Sequence, residues 1–170
     1  MFEINYLHLK VTDWENKKNK LLNLMSERPL TLMGFNHTSY NSESEDIDLC
    51  QKIKDILEKE LFDIENITGM HNYHIDYAWF QEELNGMFHP VHNHGYGMSC
   101  ICYLEFDPEY HTPVQFLSPY PEFSTGITQY YSPENVESGS LLAFPSMLNH
   151  YTIPNQSSKS RKILSFNIKC

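Results

Sequence analysis

The sequence has no hydrophobic run that approaches the roughly 20 residues needed to span a bilayer, and we expect no membrane segment. Basic residues are also scarce: 12 Lys and Arg stand against 22 Asp and Glu, so the net charge is −10. Nucleic acids and anionic membrane surfaces select basic patches, and we therefore expect neither as a partner. The N-terminus lacks a basic segment followed by an apolar stretch, so no secretory signal is predicted.

Cysteine is scarce as well, since four residues at uneven spacing do not make a disulfide framework. A reduced, cytoplasmic setting is expected. The motifs G-x-x-x-x-G-K-S/T, G-x-G-x-x-G, G-x-S-x-G and C-x-x-C do not occur, so nucleotide hydrolysis, nicotinamide chemistry and serine hydrolysis have no support. Histidine is abundant, with nine residues, five of them between His71 and His94. Because imidazole is the commonest metal ligand, this cluster first suggests metal chemistry.

The chain is predicted to be one domain, residues 1–170, with a mainly helical N-terminal layer over 1–70 and a β-rich core over 71–170. Residues 13–24 are good helix formers. A second helix is predicted from Asp46 to near Phe62, with residues 35–41 irregular before it. Ser42 or Ser44 could cap it. Its apolar residues recur every three or four positions and form one stripe: Ile47, Cys50, Ile53, Leu57 and Leu61.

From Tyr73 onward the hydrophobic period changes from helical to two, which is typical of β-strands. Short strands are predicted at residues 73–80, 98–106, 114–117, 139–144 and 162–168. Helices followed by many short strands indicate an α+β chain, in which a β-sandwich or barrel carries the helices on one sheet.

Strand parity assigns faces to two of these strands. Cys100, Cys102, Leu104 and Phe106 share one face of the first, and Ser99, Ile101, Tyr103 and Glu105 share the other. The last strand likewise separates Lys162, Leu164, Phe166 and Ile168 from Arg161, Ile163, Ser165 and Asn167. We expect the helices to cover the apolar faces and the mixed faces to line a cavity.

The H-x-H pair His92 and His94 lies in the segment of the sequence that is richest in candidate metal ligands. On an extended segment two such side chains project to the same side about 6–7 Å apart, within reach of one ion. His150, which follows a glycine-led strand and a proline turn, is the best third ligand. His89 is expected to be an outer-shell donor rather than a fourth ligand.

Arg161 lies eleven residues beyond His150, at the start of the last strand and on its mixed face. A buried guanidinium needs an anionic partner, and its fork matches a carboxylate at two points. Trp79 could line a substrate channel, and Asn149 is a hydrogen-bonding group beside His150.

The order of these residues from Tyr77 to the C-terminus resembles the 2-oxoglutarate/Fe(II)-dependent oxygenases of bacterial and phage genomes. The residues that carry the resemblance are Trp79, Gly86, His89, His92-Asn93-His94, Cys102-Tyr103-Leu104, Gly139, Phe144-Pro145-Ser146, His150, Arg161 and Ser165-Phe166-Asn167. The resemblance implies a double-stranded β-helix (jelly-roll) and an oxygenase that hydroxylates an unidentified small molecule or peptide. Carried over, the three histidines hold Fe(II) and Arg161 binds the far carboxylate of 2-oxoglutarate, with Tyr103 and Ser165 as further donors.

Two positions depart from the oxygenase pattern. His94 stands where a carboxylate usually completes the iron site, and Ile163 stands where many relatives carry a hydroxyl. The spacing G-x5-H-x-H from Gly86 also fits a three-histidine cupin, either a thiol-dioxygenase-like enzyme or a non-enzymatic binder. Residues 105–137 are expected to form a substrate lid or rim, and the sequence leaves a homodimer open.

Overall fold

A computed structural model describes residues 5–41 and 46–170 of the chain. The helices are α1 (Trp14–Ser26), α2 (Ile47–Ile56) and α3 (Glu58–Thr68). The strands are β1 (Leu7–Lys10), β2 (Thr31–Met33), β3 (Asn36–Thr38), β4 (His74–Glu83), β5 (Met98–Glu105), β6 (Gln115–Leu117), β7 (Tyr130–Tyr131), β8 (Ser140–Pro145), β9 (His150–Tyr151) and β10 (Arg161–Lys169).

The strands form two antiparallel sheets. The larger has the order β1-β8-β5-β10-β4-β3-β2, and the smaller has the order β7-β6-β9. This mixed architecture is the predicted α+β jelly-roll, or double-stranded β-helix. The long strands agree with the predicted ones to within a few residues. The N-terminal layer, however, also adds three strands to the large sheet, and β3 lies within the stretch predicted to be irregular.

The predicted helix after residue 46 is two helices. Leu57 breaks the regular backbone between α2 and α3 with φ −102° and ψ 20°, and α3 continues to Thr68, beyond the predicted end at Phe62. The main-chain bonds continue through the break, because Leu57 N–H donates to Ile53 O and Leu61 N–H donates to Leu57 O. Asp46 caps α2 by accepting a hydrogen bond from Leu49 N–H at 2.9 Å. The predicted caps Ser42 and Ser44 lie outside the described residues.

Most of the two faces predicted to pack on helices does so. Cys102, Leu164 and Phe166 are buried, together with Phe80 of β4, beneath helical residues such as Ile53 in the first of two apolar cores. Lys162 is not part of this core. The second core lies between the two sheets and contains Ile101, Tyr103, Phe116, Leu142 and Ile163. Phe106 belongs to this second core and not to the face predicted for it, because β5 ends at Glu105 and the alternation ends with it.

Within the two described stretches, no helix combines the length and the apolar character that crossing a bilayer requires.

Candidate metal and co-substrate site

Main-chain hydrogen bonds bring the distant histidines together. His92 N–H donates to His150 O at 3.0 Å, and His150 N–H donates back to His92 O at 2.9 Å. This is an antiparallel bridge between the loop before β5 and strand β9. His94 N–H donates to Ser146 O at 2.9 Å, so the H-x-H segment is attached at two points to the segment that carries the third histidine.

The side chains of His92, His94 and His150 form a group that could hold one metal ion. Their candidate ligand atoms all lie within 4.8 Å of one another, close to what a shared ion with bonds of about 2.0–2.1 Å allows. The rings of His92 and His150 are 4.2 Å apart between centroids, and those of His92 and His94 are 4.9 Å apart. The predicted triad therefore converges.

Hydrogen bonds to carbonyl groups set the tautomer of two of these rings. His92 Nδ1 lies 2.8 Å from Pro90 O, and His150 Nδ1 lies 2.8 Å from Leu148 O. A carbonyl can only accept, so Nδ1 carries the proton in each ring and Nε2 keeps its lone pair. Such a backbone partner orients a ligating histidine and raises its basicity as a ligand.

Burial keeps the rings neutral at pH 7. Burial, assisted by the neighbouring His92, lowers the pKa of His150 to about 3 and that of His94 to about 4. Burial also lowers the pKa of His92, against the hydrogen bond to Pro90. A proton therefore competes weakly with a cation for these lone pairs.

His89 has the opposite tautomer. Its Nδ1 lies 2.7 Å from Asn36 Nδ2 and 2.9 Å from Gln81 Nε2, and both amides donate. The accepting Nδ1 leaves the proton on Nε2, so His89 is a hydrogen-bond donor and lies outside the three-histidine group. Its ring packs against His92 with centroids 4.0 Å apart. This arrangement supports the outer-shell role over the role of a fourth ligand.

The triad opens on a small cavity of about 30 Å³. Five residues of the two mixed faces line it, and Trp79, Gln81 and Glu83 of β4 add further groups. Tyr103, Glu105 and Arg161, predicted on the same faces, do not line it. Its walls consist of Trp79, Gln81, Glu83, His89, His92, His94, Ser99, Ile101, Val114, Phe144, His150, Tyr151, Thr152, Ile163, Ser165 and Asn167. Sequence reasoning missed Gln81, Glu83 and Thr152, although alternation from Trp79 places the first two on its face of β4.

Arg161 is buried but already paired. Its guanidinium donates from Nη2 to Glu83 Oε2 and from Nη1 to Thr112 O. The two charged side chains are each 3% exposed, and their residues are direct partners in the β10–β4 register. Burial lowers the pKa of Arg161 to about 10, so it remains charged at pH 7. The predicted anionic partner of this arginine is thus, in this structure, a carboxylate of the chain itself.

The other predicted residues are placed as follows. Ser165 lines the cavity and its Oγ donates to Gln81 Oε1 at 3.3 Å. Trp79 is buried with its ring 5.5 Å from that of His94. Tyr103 lies in the core between the sheets, where its hydroxyl accepts from Val114 N–H at 3.0 Å. Asn149 is exposed, and its Oδ1 accepts from Asn93 Nδ2 at 2.9 Å, which ties together the two loops that carry the histidines.

The donor set fits a divalent transition-metal ion, because three neutral imidazoles with two lone pairs fixed by backbone bonds face one point. It retains the full dipositive charge of the ion, since no carboxylate joins the three-histidine group in the part of the chain that is described. The buried guanidinium of Arg161, a group of the kind that binds a carboxylate, is paired with the cavity-lining Glu83. The cavity as it stands has room for about two water molecules, so a five-carbon dicarboxylate needs it to enlarge.

A family model described as "Putative 2OG-Fe(II) oxygenase" matches residues 77–167, more than half of the chain. The chain belongs to the 2OG-Fe(II) oxygenases. The matched region runs from β4 to β10 and contains the three histidines and Arg161. The protein is therefore an oxidoreductase of the enzyme class that uses Fe(II) and 2-oxoglutarate, which decides against the cupin alternative. A comparison with curated proteins found no match.

Solved structures of other oxygenases share the fold. The non-heme α-ketoglutarate-dependent epimerase SnoN from nogalamycin biosynthesis superposes with a TM-score of 0.73 at 11% identity, covering 98% of this chain and 78% of that one. HygX from Streptomyces hygroscopicus, with nickel, 2-oxoglutarate and hygromycin B bound, superposes with a TM-score of 0.70 at 10% identity, covering 97% of this chain and 82% of that one. The viral collagen prolyl hydroxylase of Paramecium bursaria Chlorella virus-1, in its 2-oxoglutarate complex, has a TM-score of 0.63 at 14% identity, covering 96% of this chain and 94% of that one.

Proposed function

We propose that this oxygenase is a dioxygenase that hydroxylates a small-molecule or peptide substrate. In this proposal His92, His94 and His150 hold Fe(II), and Arg161 binds the far carboxylate of 2-oxoglutarate. When bound, the iron and the co-substrate supply oxygen activation coupled to decarboxylation of 2-oxoglutarate to succinate. The remaining contributions come from the side chains of the chain itself.

The observation that carries the proposal is the convergence of three uncharged imidazoles from two distant segments inside the region of the family match. Imidazoles that served only as hydrogen-bonding groups would not need to meet at one point with their lone pairs available. Here backbone carbonyls hold Nδ1 of His92 and His150 and leave Nε2 to bind. That is the arrangement expected of metal ligands.

The walls of the cavity suit an oxidation that water must not reach. Ile101, Val114, Phe144 and Ile163 supply an apolar lining beside the triad. Among the polar lining residues, Ser165 donates to Gln81, and Gln81 in turn donates to His89. This chain of hydrogen bonds orients the His89 ring, whose Nε2–H we assign to hold a polar group of the co-substrate or substrate.

The substrate side of the site is proposed to be the segment 105–137. Leu117 N–H donates to Asn149 O at 2.9 Å, so this segment runs beside the loop that ends at His150. It exposes Tyr120, Phe123, Ile127 and Tyr130 to solvent. Aromatic and apolar side chains at a rim suit an organic ligand or a peptide. Both kinds occur among the similar structures: HygX has hygromycin B bound, and the viral enzyme is a collagen prolyl hydroxylase.

The decisive experiment measures succinate formed from 2-oxoglutarate with Fe(II), ascorbate and air. His150→Ala should lose both bound metal and succinate formation, because it removes one of three ligands. Arg161→Ala should keep the metal and lose succinate formation, because Arg161 lies outside the three-histidine group and is assigned to the co-substrate. Metal content is measured in parallel on every variant.

Lys162→Ala is the matched control. Lys162 neighbours Arg161 on β10 but is partly exposed and pairs with Glu105 at 2.8 Å. It should retain both metal and activity. If Arg161→Ala forms succinate at the rate of Lys162→Ala, the assigned role of Arg161 is wrong.

A further inference from the structure

A carboxylate of the chain holds the guanidinium that the proposed function assigns to 2-oxoglutarate. Glu83 Oε2 accepts from Arg161 Nη2, and Glu83 Oε1 accepts from Thr152 Oγ1 at 2.9 Å. Glu83 also lines the cavity of the three histidines. Both of its oxygens therefore have donors. Arg161, by contrast, is not among the residues that line this cavity.

The cavity beside Glu83 is too small for the co-substrate. Its volume of about 30 Å³ accommodates about two waters, whereas 2-oxoglutarate has five carbons and two carboxylates. An incoming dicarboxylate needs both additional volume and a cationic partner for its far end. Movement of the Glu83 side chain away from Arg161 would provide both at once, because Glu83 lines the cavity and also occupies the guanidinium.

We propose that Glu83 is an internal competitor of 2-oxoglutarate, which occupies the carboxylate-binding position of Arg161 until the co-substrate displaces it. The inference rests on the proposed role of Arg161. Glu83 thereby sets the affinity for the co-substrate from within the fold. It is a residue that acts through Arg161, not one that takes part in the oxidation.

The physical reason is that a buried charge is costly when it is unpaired. A lone guanidinium at 3% exposure would destabilise the protein before co-substrate binds, and Glu83 prevents this by forming a buried, directly cross-strand pair. The same pairing weakens 2-oxoglutarate binding, since the charge-assisted bond must be broken first. Thr152 remains as a donor to the displaced carboxylate.

The test is the dissociation constant of 2-oxoglutarate, measured by titration calorimetry on the Ni(II)-loaded full chain, where no turnover occurs. Glu83→Gln keeps the volume and removes the competing charge, so it should bind 2-oxoglutarate about tenfold or more tightly than the wild type. Arg161→Ala should bind it more weakly. Glu82→Gln, the neighbouring glutamate of β4, whose carboxylate lies 3.8 Å from Lys162 Nζ, is the control and should match the wild type.

The outcomes separate this inference from the proposed function. If Glu83→Gln binds 2-oxoglutarate no more tightly than the wild type while Arg161→Ala binds it more weakly, Glu83 is not a competitor and the role of Arg161 stands. If Arg161→Ala binds it as well as the wild type does, the proposed role of Arg161 fails and this inference fails with it.

A crystal structure of the wild-type Ni(II) protein with saturating 2-oxoglutarate provides a readout that depends on no variant. The inference expects the Glu83 carboxylate to have left Arg161, with a co-substrate carboxylate in its place. Co-substrate bound with Glu83 still on Nη2 would overturn it, even if Glu83→Gln proved unable to fold.

Discussion

The metal-free enzyme should lose stability as the pH falls below neutrality, because its buried histidines resist protonation. The folded pKa values of His89 and His150 are about 3, against 6.5 for an ordinary histidine. Between these values the unfolded chain binds more protons than the folded one, so the free energy of unfolding decreases with decreasing pH. The stability that these neutral rings preserve is complete above pH 6.5 and is lost progressively towards pH 3.

The magnitude follows from the shift. For one histidine with a folded pKa of about 3, lowering the pH from 7 to 5 should remove about 2 kcal/mol from the free energy of unfolding. His150→Gln removes this titration, so its unfolding free energy should decline about 2 kcal/mol less than that of the wild type over the same range. Carboxylate titrations are common to both proteins and cancel in the comparison.

Urea unfolding in the presence of a chelator, at pH 7, 6 and 5, measures this difference. Met147→Gln is the control, because Met147 is exposed three residues before His150, does not titrate, and its substitution should keep the wild-type dependence. Equal declines for the wild type and His150→Gln would refute the reasoning. They would mean that His150 is accessible to protons in the folded protein.

Four further outcomes are expected. Ni(II) at 100 times its dissociation constant should raise the free energy of unfolding by about 2.7 kcal/mol, measured by scanning calorimetry. His92→Ala should abolish this stabilisation by the metal. Gly97→Ala should cost about 1–3 kcal/mol in urea unfolding, because φ is +99° and an added Cβ would lie 2.4 Å from Ile168 O. Leu164→Ala, in the core under the helices, should cost about 2–5 kcal/mol. Asp46→Ala should cost about 1 kcal/mol, because Leu49 N–H loses its cap.

Each of these has a contradicting result. If Ni(II) still raises the unfolding free energy of His92→Ala, His92 is not a metal ligand. If Gly97→Ala or Leu164→Ala unfolds at the wild-type urea midpoint, the neighbouring residues can rearrange around the substitution without a loss of stability. An unchanged midpoint for Asp46→Ala would mean that another group caps α2.

Local patterns in the sequence were sufficient for much of the site. Alternation along β5 and β10 assigned Ser165 and Asn167 to the cavity face and Leu164 and Phe166 to the helix-covered face, and the structure confirms both. The H-x-H pair and the later histidine were identified from residue type and spacing. The strand assignments succeed because side-chain direction in a strand depends only on a period of two, which is a property of the local backbone. The role of the three histidines as metal ligands stays a prediction.

Long-range register decided the rest. Glu83 meets Arg161 because β4 and β10 pair with those two residues opposite each other, and no local pattern encodes a partner 78 positions away. The same holds for the reciprocal bonds of His92 and His150 and for the amides that set the tautomer of His89. The sequence alone indicated which side chains have the chemistry to bind a metal or a carboxylate, because that is a property of residue type. Only the folded sheet decided that the carboxylate now on Arg161 belongs to the protein, because contacts between strands arise from the packing of the whole chain.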